Sequence, residues 1–85
     1  MYERIRNLRE DKGLNQTQMG KLLNMSQTGY SQYETGINDI PTKILLELAK
    51  IHNTSIDYIL GLTNEIKPYP RIKQKIWKII KYMLL

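Results

Sequence analysis

The sequence predicts an all-α protein made of short helices. Apolar residues recur three and four positions apart in successive segments, the spacing that places them on one helix face. These segments are bounded by Ser, Asn or Pro, which suit a helix start, and by Gly or Asn, which suit a helix end. A chain of 85 residues fits one small domain, and we predict five helices followed by a C-terminal amphipathic helix.

The first two helices are predicted from their apolar faces and their ends. The first covers 2–12, with Ile5 and Leu8 on one face and Gly13 as a left-handed cap. The second covers 16–23, where Asn15 and Gln18 form a variant of the capping box. Its predicted inward residues are Met19, Leu22 and Leu23. Asn24 then supplies the positive φ of an abrupt turn.

The next three helices follow the same logic. Ser26 caps a third helix over 27–35, with Tyr30 and Tyr33 as its apolar positions and Gly36 after it. Pro41 lies in the first turn of a fourth helix that runs to His52. The core-facing residues of the fourth helix are Ile44, Leu45, Leu48 and Ile51. Ser55 caps a fifth helix that ends before Gly61, with Ile56, Ile59 and Leu60 predicted to face inward.

The residues after the fifth helix divide into a linker and a tail. Pro68 and Pro70 exclude a continuous helix, so 65–70 is predicted to be a linker between a domain at 1–64 and a helix at 71–85. The predicted tail helix has an apolar stripe on one side and lysines on the other. The stripe consists of Ile72, Ile76, Ile79, Ile80 and Met83, and the lysines are Lys75, Lys78 and Lys81.

The net charge of +5 is concentrated in the tail. Residues 1–66 contain seven basic and eight acidic side chains, whereas 67–85 contain six basic side chains and no acidic one. The charge is therefore no direct evidence for nucleic-acid binding by the first five helices.

Composition excludes several function classes. The absence of cysteine excludes a disulfide framework and a thiolate metal site, and suits a reducing cytoplasm, where we expect the protein to act. No apolar run approaches the roughly 20 residues that span a bilayer. The sequence holds no catalytic motif, so we expect no enzyme, no cofactor and no metal. His52 is expected at the surface or half-buried, suiting a helix C-terminus when charged.

Two helices joined by a three-residue turn lie between Gln16 and Gly36, which is the helix-turn-helix spacing. The stretches LNQTQMGKLLNMSQTGYSQYETG and NDIPTKILLELAKIHNTSIDYILGLT resemble the Cro and phage-repressor type of helix-turn-helix protein, also called the xenobiotic-response-element family. The resemblance covers Glu3 to Asn64 and implies a compact lambda-repressor-like domain. It departs from the family at Gly20, where alanine is usual, and at Asn24, where glycine is usual.

The resemblance implies that the third helix enters the DNA major groove. Its base-reading positions are then occupied by Gln27, Thr28, Ser31 and Gln32. Glutamine can bind the N6 and N7 edge of adenine, and threonine can contact several bases. The implied phosphate contacts are Asn15, Gln16, Ser26, Asn38 and Lys43. Asp39 would repel a phosphate nearby. By the same resemblance, Arg9 and Glu34 form a structural pair.

These observations predict a sequence-specific regulator of transcription, a repressor that binds a palindromic operator in double-stranded DNA as a homodimer. The tail is expected to pack on its own domain or against a second subunit. Alternatives are an anionic membrane surface, which is less favoured, and a groove on a partner protein. In the last case the chain would be an antitoxin-like interaction module, in which the tail is the functional part.

Overall fold

A computed structural model describes residues 2–70 of the chain. Five helices follow one another in these residues. They are α1 (Glu3–Asp11), α2 (Gln16–Leu22), α3 (Gln27–Thr35), α4 (Thr42–Ile51) and α5 (Ile56–Ile59). Helix α2 packs on α3, α4 packs on α5, and α1 contacts both α3 and α5. The predicted all-α, five-helix, lambda-repressor-like class is confirmed.

Local signals set most helix ends. The N–H of Gln18 donates to Asn15 Oδ1 at 2.8 Å, and the N–H of Asn15 donates to Gln18 Oε1 at 2.9 Å, which completes the predicted capping box. The hydroxyls of Ser26 and Ser55 accept from backbone N–H groups at the starts of α3 and α5. Pro41 differs by one position from the prediction, since it is the N-cap of α4 and precedes its first turn.

The core lies where the five helices meet. Its fully buried side chains include Ile5 from α1, Met19 from α2, Tyr30 from α3 and Leu48 from α4. Tyr33, Ile44, Leu45, Ile51 and Ile56 pack against this centre from partly buried positions. Every helix therefore contributes side chains to the core. Helices of this length are not stable alone in water, so each depends on this packing.

Two residues predicted to face inward are exposed. Leu22 is 56% exposed because the buried face of α2 is centred on Met19, Leu23 and Gly20, and Leu22 lies to one side of it. Leu60 is 42% exposed because α5 has only four residues and Leu60 already belongs to the turn that follows. Both predictions were wrong. For Leu22 the spacing along the helix did not give the direction of the packing partner, and for Leu60 the sequence did not show that the helix ends one residue earlier.

The segment after α5 contains no helix in the part that the structure describes, and it is tied to the domain. The guanidinium of Arg4 donates to the backbone oxygen of Thr63 and, at 2.8 Å, to Asn64 Oδ1. The hydroxyl of Thr54 donates to the backbone oxygen of Ile66 at 2.6 Å. The predicted helix at 71–85 and its apolar residues lie outside the described residues. Among residues 2–70, no helix is long and apolar enough to cross a membrane.

Candidate nucleic-acid interface

Helices α2 and α3 are joined by a tight turn. Asn24 adopts the predicted positive φ, at 59°, and the N–H of Met25 donates to the backbone oxygen of Gly20 at 2.8 Å. A Cβ atom on Gly20 would lie 2.9 Å from the Met25 backbone oxygen. A side chain at this position would therefore force the turn to shift, and the turn sets how α3 follows α2.

The start of α3 presents polar side chains to solvent. The Ser26 hydroxyl accepts from the Gly29 N–H at 3.0 Å and caps the helix. Gln27 and Thr28 follow and are exposed, whereas Ser31 and Gln32, one turn later, are half-buried. Tyr30 points the other way into the core and is fully buried. The helix therefore has an inner face fixed by packing and an outer polar face free to contact a ligand.

Gln27 is held from α2 by Gln16. The Gln27 amide nitrogen donates to Gln16 Oε1 at 2.6 Å, and the Gln16 amide nitrogen donates to Glu34 Oε1 at 3.1 Å. One predicted base-reading residue is therefore joined to one predicted phosphate-binding residue. Through Gln16, these hydrogen bonds connect Gln27 to Glu34, which is buried near the C-terminal end of α3.

Arg9 and Glu34 form an ion pair at that end. Arg9 Nε lies 2.7 Å from Glu34 Oε2, and a second guanidinium nitrogen lies 3.1 Å from Oε1. Burial disfavours the ionised carboxyl, but the hydrogen bonds from Arg9 and Gln16 prevail and lower the pKa of Glu34 below its ordinary value. The hydrogen bond to Glu34 likewise raises the pKa of Arg9. The carboxylate stays charged and anchors Gln16.

A second pair of predicted residues meets beyond α3. The Asn38 amide nitrogen donates to Gln32 Oε1 at 2.8 Å, and the Asn38 backbone N–H donates to the Gln32 backbone oxygen at 3.1 Å. Here too a predicted base-reading residue is bonded to a predicted phosphate-binding residue. The two pairs orient the side chains of Gln27 and Gln32 before any ligand is present.

The remaining predicted phosphate contacts lie at helix starts. Asn15 precedes α2 and its side chain is already used in the capping box. Ser26 is the cap of α3, and Lys43 is exposed in the first turn of α4. Asp39 accepts a hydrogen bond from the Tyr2 hydroxyl at 3.2 Å, so its carboxylate is tied to the start of the chain.

Sequence reasoning missed two features of this region. No local pattern indicated that Gln16 bridges Glu34 and Gln27, since these residues are far apart in sequence and meet only in the fold. The expectation for His52 was wrong. Its side chain is 8% exposed, and burial, with a smaller effect of Lys12, lowers the pKa of His52 to about 4, so the ring is neutral near pH 7. Within residues 2–70, no group of three His, Asp or Glu side chains could hold a metal ion.

Five helices, a tight turn between α2 and α3, and an exposed polar start of α3 define a helix-turn-helix domain. The sequence profile of the helix-turn-helix family matches residues 5–59, more than half of the chain, and the protein belongs to this family.

Known relatives are regulators by name. The chain is 34% identical over 76 residues to YobD of Bacillus subtilis (strain 168), an uncharacterised HTH-type transcriptional regulator, covering 88% of this chain and 66% of that protein. It is 34% identical over 59 residues to the HTH-type transcriptional regulator ImmR of the same organism, covering 69% of this chain and 46% of ImmR. The chain thus spans between about half and two thirds of these relatives. No solved structure matches it.

Proposed function

We propose that this protein is a transcriptional regulator that binds a specific sequence in double-stranded DNA through α3. The observation that carries the proposal is the outer face of α3, where Gln27 and Thr28 are exposed at a helix start capped by Ser26, and Gln27 is bonded to Gln16. An α-helix fits the major groove, where each base pair presents a distinct pattern of donors and acceptors. The relatives named as transcriptional regulators support the same function.

The hydrogen bonds of Gln27 suit an adenine contact. Its amide nitrogen has two hydrogens, and one is donated to Gln16. The other hydrogen remains for adenine N7, and Oε1 remains to accept from adenine N6, which is the bidentate pairing that glutamine makes with this base. Gln27 can therefore keep its contact with Gln16 while it binds DNA. Thr28 offers a hydroxyl and a methyl group beside it.

Ser31 and Gln32 complete the proposed reading face, and helix starts supply the phosphate contacts. The first N–H groups of a helix attract anions, and Asn15 with Gln16 opens α2 while Lys43 opens α4. Ser26, the cap of α3, is a further helix start, and Asn38, in the link between α3 and α4, completes the set with its side-chain amide. Because few cations are involved, we expect one subunit to bind DNA weakly.

We further propose that the protein acts in the cytoplasm as a homodimeric repressor on a palindromic operator. Two copies related by a two-fold axis place their α3 helices about 34 Å apart, one turn of DNA, and so double the contacts. A protein bound in this way can block transcription by occupying the operator. Repression of this kind requires only that the protein binds DNA and forms a dimer.

Selection of bound sequences from random duplexes, followed by titration of the preferred duplex, tests the proposal. Replacing Gln27 and Thr28 by alanine should weaken binding to that duplex about 10- to 100-fold, since a bidentate base contact contributes about 1–3 kcal/mol of discrimination. Affinity for an unrelated duplex should change little. The matched control is Asn7→Ala, an exposed amide on α1, with folding of each variant checked by circular dichroism. Unchanged preference in the double variant would contradict the assignment of α3.

A further inference from the structure

An apolar groove lies on the side of the domain formed by α4 and α5. It has a volume of about 330 Å³. Two walls come from α4 and from the start of α5, and the third comes from the segment that follows α5. Its main apolar lining consists of Leu46, Ala49, Ile56, Pro68, Tyr69 and Pro70. No lining residue belongs to α2 or α3, so an occupant of the groove leaves the proposed DNA-reading face uncovered.

The third wall is held in place by hydrogen bonds. The Tyr69 hydroxyl donates to Asp57 Oδ2 at 2.8 Å, and the Thr54 hydroxyl donates to the backbone oxygen of Ile66 at 2.6 Å. The groove is therefore a formed feature and not a gap beside a loose chain. Leu46 is 48% exposed at its edge, which leaves apolar surface for an occupant to cover.

The chemistry of residues 71–85 matches this groove. The predicted tail helix has an isoleucine-rich stripe that requires an apolar partner, and its five basic residues accompany no acidic one. The groove is apolar, and Asp57 is the one charged residue among the described residues that line it. The tail thus complements the groove in its apolar face, and its basic residues suit this acidic residue.

The position of Pro70 indicates which copy of the groove the tail occupies. Pro70 lines the groove, and the predicted helix begins at the next residue. Residues 68–70 already form the third wall of the groove. Since the predicted helix follows this wall without an intervening turn, the tail could enter its own groove only by reversing over residues 68–70, which would take up its first helical turn and Ile72. A groove on a second copy demands no such turn.

We propose that residues 71–85 of each copy bind as an amphipathic helix in the α4–α5 groove of a second copy, so that two tails are exchanged across a two-fold axis. This proposal deepens the homodimer of the proposed function by naming its interface. Both contacts are identical, and the α3 helices of the two copies remain free for DNA.

On a helical wheel Trp77, the single tryptophan, lies on the lysine side of the predicted tail helix, between Lys73 and Lys81. The reporter is therefore moved into the apolar stripe by the paired substitutions Trp77→Phe and Ile79→Trp. The full chain should sediment as a dimer, and the emission of this reporter variant should lie at short wavelength and move to longer wavelength on dilution.

Leu46→Lys places a cation in the groove opposite the basic tail, and it should weaken dimerisation about tenfold or more, because burying an unpaired charge is costly. The matched control is Leu22→Lys, an exposed leucine on α2 outside the groove, which should leave the dimer intact.

Mixing two full-length variants tests whether a tail binds the groove of another copy. The first carries Leu46→Lys with the reporter substitutions Trp77→Phe and Ile79→Trp. The second carries Ile76→Lys, Ile80→Lys and Trp77→Phe, and keeps its groove. Each alone should be monomeric. Their mixture should form a heterodimer in which the emission of the first variant shifts to short wavelength.

Other outcomes overturn the proposal. In the reporter variant, a monomer whose emission lies at short wavelength at every concentration places the tail on its own domain. Emission at long wavelength that changes only with phosphatidylglycerol vesicles places it on a membrane. A dimer that Leu46→Lys does not weaken uses another surface. The proposed function is tested separately: if the unmodified protein is a dimer but binds no specific DNA sequence, the proposed function is contradicted and this interface is not.

Discussion

Arg9, Glu34 and His52 are buried ionisable residues whose charge states are stabilised in different ways. Arg9 and Glu34 stay charged because each neutralises the other within hydrogen-bonding distance. For His52, both ring nitrogens lack a hydrogen-bond partner among residues 2–70, and the pKa of about 4 keeps the ring neutral. The resemblance implied the ion pair in the sequence, whereas the burial of His52 depends on packing that no local pattern gives.

The low pKa of His52 predicts that stability falls in mild acid. The unfolded chain takes up a proton near pH 6.5 and the folded chain only near pH 4, so stability present above pH 6.5 is lost as the pH falls. The free energy of unfolding should drop by about 2 kcal/mol between about pH 7.5 and pH 5. Urea denaturation at a series of pH values measures this.

The control is His52→Leu, which has no proton to bind and fills the same buried position. Its free energy of unfolding should be nearly constant over that range. Glu34 acts at lower pH, because its depressed pKa affects stability only as the pH falls through and below its ordinary value. Parallel pH profiles for the two proteins would contradict the assignment to His52.

At the scale of the elements, the contact between α2 and the turn before α3 determines how the proposed reading face is presented. Helix ends were predictable because caps and positive-φ residues act locally, as at Asn15, Asn24 and Gly36. The buried face of α2 was not predictable from the sequence, because it depends on where α3 crosses α2. The two helices approach each other at Gly20, and Leu22 therefore lies on the exposed side of α2.

Gly20→Val tests this close approach. A Cβ atom would meet the backbone oxygens of Met25 at 2.9 Å and Ser26 at 3.2 Å, and neither can move without deforming the turn. The free energy of unfolding should fall by about 1–3 kcal/mol, as for other overpacked sites. Lys21→Val adds the same side chain at the next, exposed position and should cost much less. Because valine is a better helix former than glycine, helix propensity alone would favour Gly20→Val. A loss no larger than that of Lys21→Val would therefore contradict the steric role of Gly20.

At the scale of the whole molecule, the excess of positive charge and the proposed reading face are separated along the sequence. Residues 1–70 contain eight basic and eight acidic side chains, and 71–85 contain five basic ones and none acidic. The sequence alone revealed this division, since it requires only counting. It could not reveal the groove, because α4, α5 and residues 68–70 meet there only through the fold.

The separation predicts how DNA binding responds to salt. If the tails bind in the α4–α5 grooves, replacing Lys73, Lys75, Lys78 and Lys81 by glutamine should leave the slope of log affinity against log salt unchanged. Lys43→Gln should reduce the slope by about 1 per subunit, the value for one lost phosphate contact. Fluorescence anisotropy with a labelled operator measures both. A smaller slope in the tail variant would place the tail lysines on DNA.

The bridge from Glu34 through Gln16 to Gln27 limits how the recognised sequence can change in evolution or by design. Gln16 needs a donor at position 27, and arginine or lysine there would supply one together with a preference for guanine. Glutamate at position 27 would instead face the Gln16 oxygen with a second acceptor. Retargeting toward cytosine therefore requires a compensating change at position 16, so these two positions are expected to vary as a pair.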